Sequence, residues 1–179
     1  WDDQLETALA EILGEARAAR LRLSHGRMLS ASYRAQYSPE EAATDIERLI
    51  ALRDENDRDV LIYRRNDDAP HRIRLKIFRL GQIIPLSECV PVLEHLGLRV
   101  IEEYPFDLVE GRLGWIHDFL LEDPNGQPLD LDWLKPTLEP ALRAILGGEQ
   151  EDDGFNALVI KVNLSVEQAG LFRAYFRYM

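Results

Sequence analysis

The chain has 179 residues, of which 46% are hydrophobic and 30% are charged, which is typical of a globular domain with appended helices. Its net charge of −11 argues against binding to nucleic acid or to an anionic membrane surface, because both require clustered Lys and Arg. The single cysteine excludes an internal disulfide, and neither a signal peptide nor an apolar run of about 18 residues occurs, so we predict a cytoplasmic protein.

Helical periodicity dominates the first fifty residues. Apolar residues recur at helical spacing over residues 1–23 and predict one helix there, followed by a short helix or loop over 24–37. A further helix begins after Ser38, which can cap it. Pro39 suits the first helical position, and Glu41 lies three residues after the cap.

Two strands follow, at residues 59–65 and 72–80, and the polar connector between them predicts a hairpin. The second strand alternates between apolar and basic side chains, with Ile73, Leu75 and Ile77 on one face and Arg72, Arg74 and Lys76 on the other. We therefore expect one face of the sheet to meet a core and the other to meet water or a partner.

The middle of the chain continues the alternation of helix and strands. Residues 86–96 predict a helix that ends at Gly97, where a left-handed C-terminal cap is expected. Two more strands are predicted at 99–108 and 115–122, and a third amphipathic helix lies between about residues 134 and 146.

The last thirty residues begin with an acidic run at 149–153, which we interpret as a solvated linker. Residues 155–179 predict two apolar helical segments that are separated near Asn163, with Ser165 as the cap of the second. Because the chain starts with a residue other than methionine and stops within an aromatic helix, we expect it to be a piece of a longer polypeptide.

The predicted elements run helix, strand, strand, helix, strand, strand, helix, which is a circular permutation of the ferredoxin-like order. The fold class is therefore α+β: a four-stranded antiparallel sheet with helices on one face, flanked by N- and C-terminal helical segments. We divide the chain into an N-terminal helical segment at 1–37, an α/β domain at 38–148, and an acidic linker with helices at 149–179.

The sequence shows no catalytic or metal-binding motif, and we assign no catalytic residue and no metal ligand. His117 and Asp118 are neighbours in a strand and point to opposite faces, so we interpret His117 as an edge or partly buried histidine. Glu102 and Glu103 face opposite ways for the same reason. Cys89 lies in the buried stripe of its helix and is predicted to be a small core residue.

Four separated strings carry a family resemblance: SPEEAATDIERLIAL, LKIFRLGQIIPLSECVPVLEHLGLRVIEEYPF, WIHDFLLE and DGFNALVIKVNLSVEQAGLFRAYFRYM. In this order they resemble the large class of bacterial NAD-specific glutamate dehydrogenases. Members of that family deaminate L-glutamate oxidatively to 2-oxoglutarate with NAD, and ACT-like regulatory domains precede their catalytic region. The resemblance implies that this chain is the last ACT-like domain with the helices that lead into catalysis. It also implies that the catalytic residues and the NAD-binding loop lie beyond the chain, which leaves no cofactor within it.

The resemblance also implies where an effector would bind. ACT domains bind amino acids at a strand-to-helix turn, which here corresponds to Gly81, Gln82 and Ile83. Backbone amides at such a turn attract a carboxylate. The alternative interpretation is a plain turn in which the glycine supplies an unusual backbone angle. The segment Gln82-Ile83-Ile84-Pro85 lacks the Asp-x-Pro-Gly form of effector-binding ACT loops.

Two functions remain open at this point. The first is an allosteric or oligomerisation module whose partners are the downstream catalytic domain, neighbouring subunits and an amino-acid effector. The second is a purely architectural interaction domain that binds no small molecule and builds the homo-oligomer through strand edges or helices. An independent small enzyme would need a convergent polar pocket, of which the sequence gives no sign.

Overall fold

A computed structural model describes residues 1–24, 29–108 and 113–179. Within these ranges the chain forms eight α-helices, one 3-10 helix at Gly154–Asn156, and four strands. The helices are α1 (Asp2–Leu13), α2 (Glu15–Ser24), α3 (Ala31–Gln36), α4 (Pro39–Ala51), α5 (Leu86–His95), α6 (Leu131–Leu146), α7 (Ala157–Val162) and α8 (Val166–Arg177). The strands are β1 (Asp59–Tyr63), β2 (Arg72–Arg79), β3 (Arg99–Leu108) and β4 (Gly114–Glu122).

The N-terminal helix is interrupted, so the prediction of one continuous helix is wrong. Gly14 separates α1 from α2 with a φ of 83°, and its amide donates to the carbonyl of Ala10 at 2.9 Å. Glycine adopts such a positive φ without the steric cost that a Cβ imposes. The short helix expected over 24–37 is α3, and residues 25–28 of that segment lie outside the described residues.

The helix α4 begins as predicted. The Ser38 hydroxyl accepts from the amide of Glu41 at 3.2 Å, and the Glu41 carboxylate accepts from the amide of Ser38 at 2.8 Å. This reciprocal pair satisfies two amides that the first turn of a helix leaves without partners.

The four strands form one antiparallel sheet in the order β1-β2-β4-β3. The sheet confirms the α+β prediction, including the pairing of β1 with β2 and the helices at both ends of the chain. Strand β4 is central, and β1 and β3 are the edges. No helix among the described residues has the length and apolarity needed to cross a membrane.

The described chain divides into two compact units. The first unit comprises Trp1–Asp59, Phe78–Ile83 and Pro105–Ile116, and the second comprises Val60–Ile77, Ile84–Tyr104 and His117–Met179. In the second unit, apolar residues of β1, β2 and β4 are buried together with residues of α5, α6 and α7. Burial of apolar area of this kind is the main stabilising contribution to a domain.

The first unit is held by helix contacts and an aromatic group. Helix α1 contacts α2 and α4. The rings of Tyr33 and Tyr37 meet that of Phe106, with centroids 5.3 Å and 5.6 Å away and the rings nearly perpendicular. Edge-to-face contacts of this kind add to the free energy gained by burying the rings. The buried Tyr33 hydroxyl also donates to the carboxylate of Asp45.

The basic side of β2 is only partly exposed, whereas the alternation predicted that it meets water or a partner: Arg72 and Arg74 are half-buried, and Lys76 is buried. Lys76 is only 2% exposed, and its Nζ lies 5.5 Å from the ring centroid of Tyr63. Arg74 donates from Nε and Nη2 to the two carboxylate oxygens of Asp68, each at 2.8 Å. Charge alternation in a strand therefore does not identify a solvated face when partners neutralise the charges.

The two helical segments predicted over residues 155–179 are α7 and α8, and they are separated near Asn163 as predicted. Asn163 ends α7 in the left-handed conformation, with a φ of 54°, and the Ser165 hydroxyl accepts from the amide of Gln168 to begin α8. The acidic run 149–153 is bound to α8, a contact that its interpretation as a solvated linker did not include. Arg173, which is 5% exposed, donates from Nε to Asp153 Oδ2 at 2.6 Å.

Candidate functional site

The predicted effector residues lie in the connection that follows β2, within the first unit. Gly81 has a φ of 74°, and a Cβ at this position would lie 2.8 Å from Glu55 Cδ. A glycine is therefore required by backbone conformation, whether or not a ligand binds. Gln82 is exposed and Ile83 is 45% exposed, so both side chains are accessible within the described protein.

Arg79 adds a cation to this connection that the sequence interpretation did not include. Its Nη1 donates to the Ile83 carbonyl at 3.3 Å. Its Nε is buried and has no hydrogen-bond acceptor among the described residues. A buried donor without an acceptor costs free energy, and a bound carboxylate or water would remove that cost. No local sequence pattern predicted the contact between Arg79 and Ile83.

His117 occupies a different position from the one predicted, because β4 is central and the residue is 1% exposed. Its Nδ1 lies 2.8 Å from Glu103 Oε1, and its Nε2 accepts from the amide of Ile84 at 3.2 Å. All three residues belong to the second unit. The interpretation as an edge or partly buried histidine is therefore wrong. The partners lie 14 and 33 residues away in sequence, a distance at which local patterns carry no signal.

Asp118 points away from His117, as strand geometry predicted. It accepts from the Tyr63 hydroxyl at 2.7 Å and is fully buried. Glu102 and Glu103 also diverge, since Glu102 accepts from the Tyr104 hydroxyl and Glu103 bonds His117. These carboxylates therefore form no shared acid and base pair.

Cys89 is a core residue, as predicted. It is fully buried, and burial, reinforced by the Glu103 carboxylate, raises the pKa of its thiol to about 11. A thiol with so high a pKa is a poor nucleophile at neutral pH. Among the described residues, no group of three or more His, Cys, Asp or Glu side chains is arranged to hold a metal ion.

The chain matches three family profiles. The profile described as the ACT3 domain of glutamate dehydrogenase matches residues 57–134, which include all four strands. Profiles for helical motif 2 and helical motif 3 of glutamate dehydrogenase match residues 8–52 and 150–179. Along the chain, the match to helical motif 2 comes first, the match to the ACT3 domain second, and the match to helical motif 3 last.

Relatives from three bacteria match the whole chain. NAD-specific glutamate dehydrogenases from Halomonas elongata and Pseudomonas aeruginosa are 34% and 32% identical to it. The NAD-specific glutamate dehydrogenase of Mycobacterium tuberculosis is 29% identical. Each match covers 100% of this chain but only 11% of the relative, so the chain spans about a tenth of the length of these proteins.

Proposed function

Because the chain belongs to the family of NAD-specific glutamate dehydrogenases, we propose that it is a regulatory and structural ACT-like portion of such an enzyme. The observation that carries this proposal is the match of the ACT3 profile to residues 57–134, which contain the whole sheet. In the parent enzyme, L-glutamate, NAD and water give 2-oxoglutarate, NADH and ammonium. We propose that this reaction takes place on other residues of the parent enzyme, since the chain covers only 11% of its relatives and carries no catalytic motif.

The residues of this chain do not fit NAD. Dinucleotide-binding domains hold the pyrophosphate at a glycine-rich turn between a parallel strand and a helix. Here the sheet is antiparallel, and the connection after β2 carries the single glycine Gly81. We therefore propose that NAD binds in the catalytic region of the parent enzyme.

An amino-acid effector binds at the connection Gly81–Ile83. Two features of the first unit support this assignment: the exposure of Gln82 and Ile83, and the Arg79 Nε that has no acceptor among the described residues. A guanidinium suits a carboxylate because it can donate two parallel hydrogen bonds. The effector then biases the catalytic region through a coupling free energy, by favouring one arrangement of the parent enzyme.

A binding experiment tests the ligand part. The chain is titrated by calorimetry with a panel of amino acids, with NAD and 2-oxoglutarate included, and its thermal unfolding is followed in parallel. A specific ligand at about 100 times its dissociation constant adds about 2.7 kcal/mol to the unfolding free energy. We expect one amino acid to bind and Gln82→Ala to weaken that binding. Gln127→Ala is the matched control, since Gln127 is also exposed but follows β4.

The same substitutions are then made in the full-length enzyme. Gln82→Ala and Gly81→Ala should weaken the response of glutamate oxidation to the effector, while Gln127→Ala should leave it unchanged. If both site variants respond to the effector as the wild type does, the effector acts elsewhere. The architectural function would then be the remaining proposal for this chain.

A specific observation favours that architectural function as the second candidate. Helix α8 exposes large apolar side chains on its surface, with exposures from 48% to 71%: Leu171, Phe172, Tyr175 and Phe176. Contiguous apolar surface of this kind marks an interaction site. We propose that α8 packs against the catalytic region or a neighbouring subunit of the parent enzyme.

Light scattering of the full-length enzyme tests this role. The double variant Phe172→Ser/Phe176→Ser removes two exposed rings from α8 and should lower the oligomer mass or the thermal stability of the enzyme. Ala174→Ser, at an exposed position of the same helix, is the control and should change neither. An unchanged mass and unchanged stability in the double variant would contradict the architectural function.

A further inference from the structure

The hydrogen bonds of His117 determine its protonation state. A backbone N–H can only donate, so Nε2 must accept the Ile84 amide with its lone pair and carries no proton. Nδ1 then bears the proton and donates to the Glu103 carboxylate, 2.8 Å away. The ring is thus a neutral imidazole in the Nδ1–H tautomer, with both nitrogens occupied.

The Ile84 amide has few alternatives to this bond. Ile84 is 4% exposed and lies between Ile83 and the start of α5, so it belongs to neither a strand nor a helix. A buried amide outside regular structure needs a side-chain or water partner, and its loss costs about 1–3 kcal/mol. The imidazole of His117 supplies that partner from β4.

We propose that His117 is a positioning residue that fixes the end of the connection between β2 and α5, with Glu103 setting the tautomer that makes this possible. Ile84 directly follows Ile83 in the chain, so its anchoring limits the conformations open to the connection. The consequence for an effector at Gly81–Ile83 rests on the proposed function, whereas the hydrogen-bonded relay from Glu103 through His117 to Ile84 does not.

The ring of His117 stacks on that of Phe119, with 6.3 Å between the two centroids. A protonated Nε2 would place a second donor against the Ile84 N–H and remove its acceptor, so anchoring requires that the ring stay neutral.

Nuclear magnetic resonance of the ¹⁵N-labelled chain tests the relay in two measurements. The imidazole ¹⁵N shifts of wild-type protein report the tautomer, and we expect a protonated Nδ1 and a bare Nε2 for His117. Hydrogen exchange then reports the Ile84 amide in three variants. His117→Phe should speed the exchange of the Ile84 amide at least tenfold, because an aromatic ring still fills the position but the Nε2 acceptor is lost. Glu103→Leu should speed it severalfold, because Glu103 acts on Ile84 through its hydrogen bond to His117.

A conservative variant separates positioning from packing. In His117→Gln the side-chain oxygen can accept from Ile84 while the amide group donates to Glu103, so Ile84 exchange should return to within about threefold of wild type. The amide of Leu75 in β2 is the control and should exchange at the same rate in all variants.

An Nε2–H tautomer in the wild type would overturn the proposal even if a variant fails to fold. Unchanged Ile84 exchange in His117→Phe would also overturn it. Both measurements are made without a ligand. A result that contradicts the role of His117 is therefore distinguishable from an amino-acid titration that shows no binding.

Discussion

Arg173 and Asp153 meet through two parallel hydrogen bonds that join α8 to the acidic run before α7. Arg173 Nε lies 2.6 Å from Asp153 Oδ2, and Nη2 lies 3.0 Å from Oδ1. Nη2 also donates to the buried Asn156 side chain at 3.0 Å. Because this guanidinium is buried and its partners converge on it, the pair differs from an ordinary surface ion pair.

The first prediction concerns the stability that this pair contributes. Arg173→Met should lower the unfolding free energy by about 2–3 kcal/mol, because it leaves Asp153 and Asn156 without their buried donor. Arg177→Met is the matched control on the same helix. Its ion pair with Glu151 is exposed on both sides, so we expect a loss below about 1 kcal/mol. Urea unfolding of the three proteins measures both values, and equal losses would contradict the distinction.

The second prediction concerns pH. The hydrogen bonds of Arg173 lower the pKa of Asp153 below its ordinary value of 3.8. A carboxyl group with a lowered folded-state pKa stabilises the protein above the unfolded-state pKa, and this contribution is lost as the pH falls through the folded-state pKa. Asp153 is one-third exposed, so solvent screening reduces the effect.

Asp153→Asn should therefore lower the unfolding temperature most above pH 4, and the difference from wild type should shrink as the pH falls below that value. Thermal unfolding between pH 2.5 and 7 measures this difference. Glu47→Gln, at an exposed position of α4, is the control variant and should parallel wild type. A difference that is independent of pH would show that the charge of Asp153 contributes nothing.

The sequence predicts those features that depend on neighbouring residues. Ser38 and Glu41 lie three residues apart, and their reciprocal cap is a local contact. The same holds for Ser165 and Gln168 at the start of α8. Alternation in β2 correctly identified the side that faces the core, because successive strand residues point to opposite faces.

Features that depend on distant partners could not be predicted in this way. The burial of His117 follows from the central place of β4, and strand order is not a local property. Lys76 is buried among residues that include Tyr63, whereas the alternation of charge predicted exposure. The candidate effector site was only partly accessible to sequence reasoning, because the Arg79 contact with Ile83 depends on a side-chain orientation.

The third prediction concerns two glycines with different constraints. Gly114 has a φ of 144°, and a Cβ there would lie 2.4 Å from the carbonyl oxygen of Arg79. Gly14 has a φ of 83°, but no atom lies within 4 Å of its would-be Cβ. Gly114→Ala should therefore cost about 3 kcal/mol or more, because the backbone must move. Gly14→Ala should cost less, about 1–3 kcal/mol, because only the backbone conformation opposes it. Urea unfolding midpoints compare the two, and a larger loss for Gly14→Ala would contradict the assigned constraints.

The last prediction concerns the reactivity of Cys89. Burial raises the pKa of its thiol from an ordinary value of 9.0 to about 11, so at pH 8 the thiolate fraction falls about a hundredfold. Reaction with a disulfide reagent should accordingly be at least about a hundredfold slower in the native protein than in the denatured protein. Leu93→Ala removes a fully buried neighbour on α5 and should accelerate the native reaction, because a cavity destabilises the core by about 2–5 kcal/mol. Equal rates in native and denatured protein would contradict the burial of Cys89, whereas a slow native rate that rises in the variant would show that the thiol reacts only when the core opens.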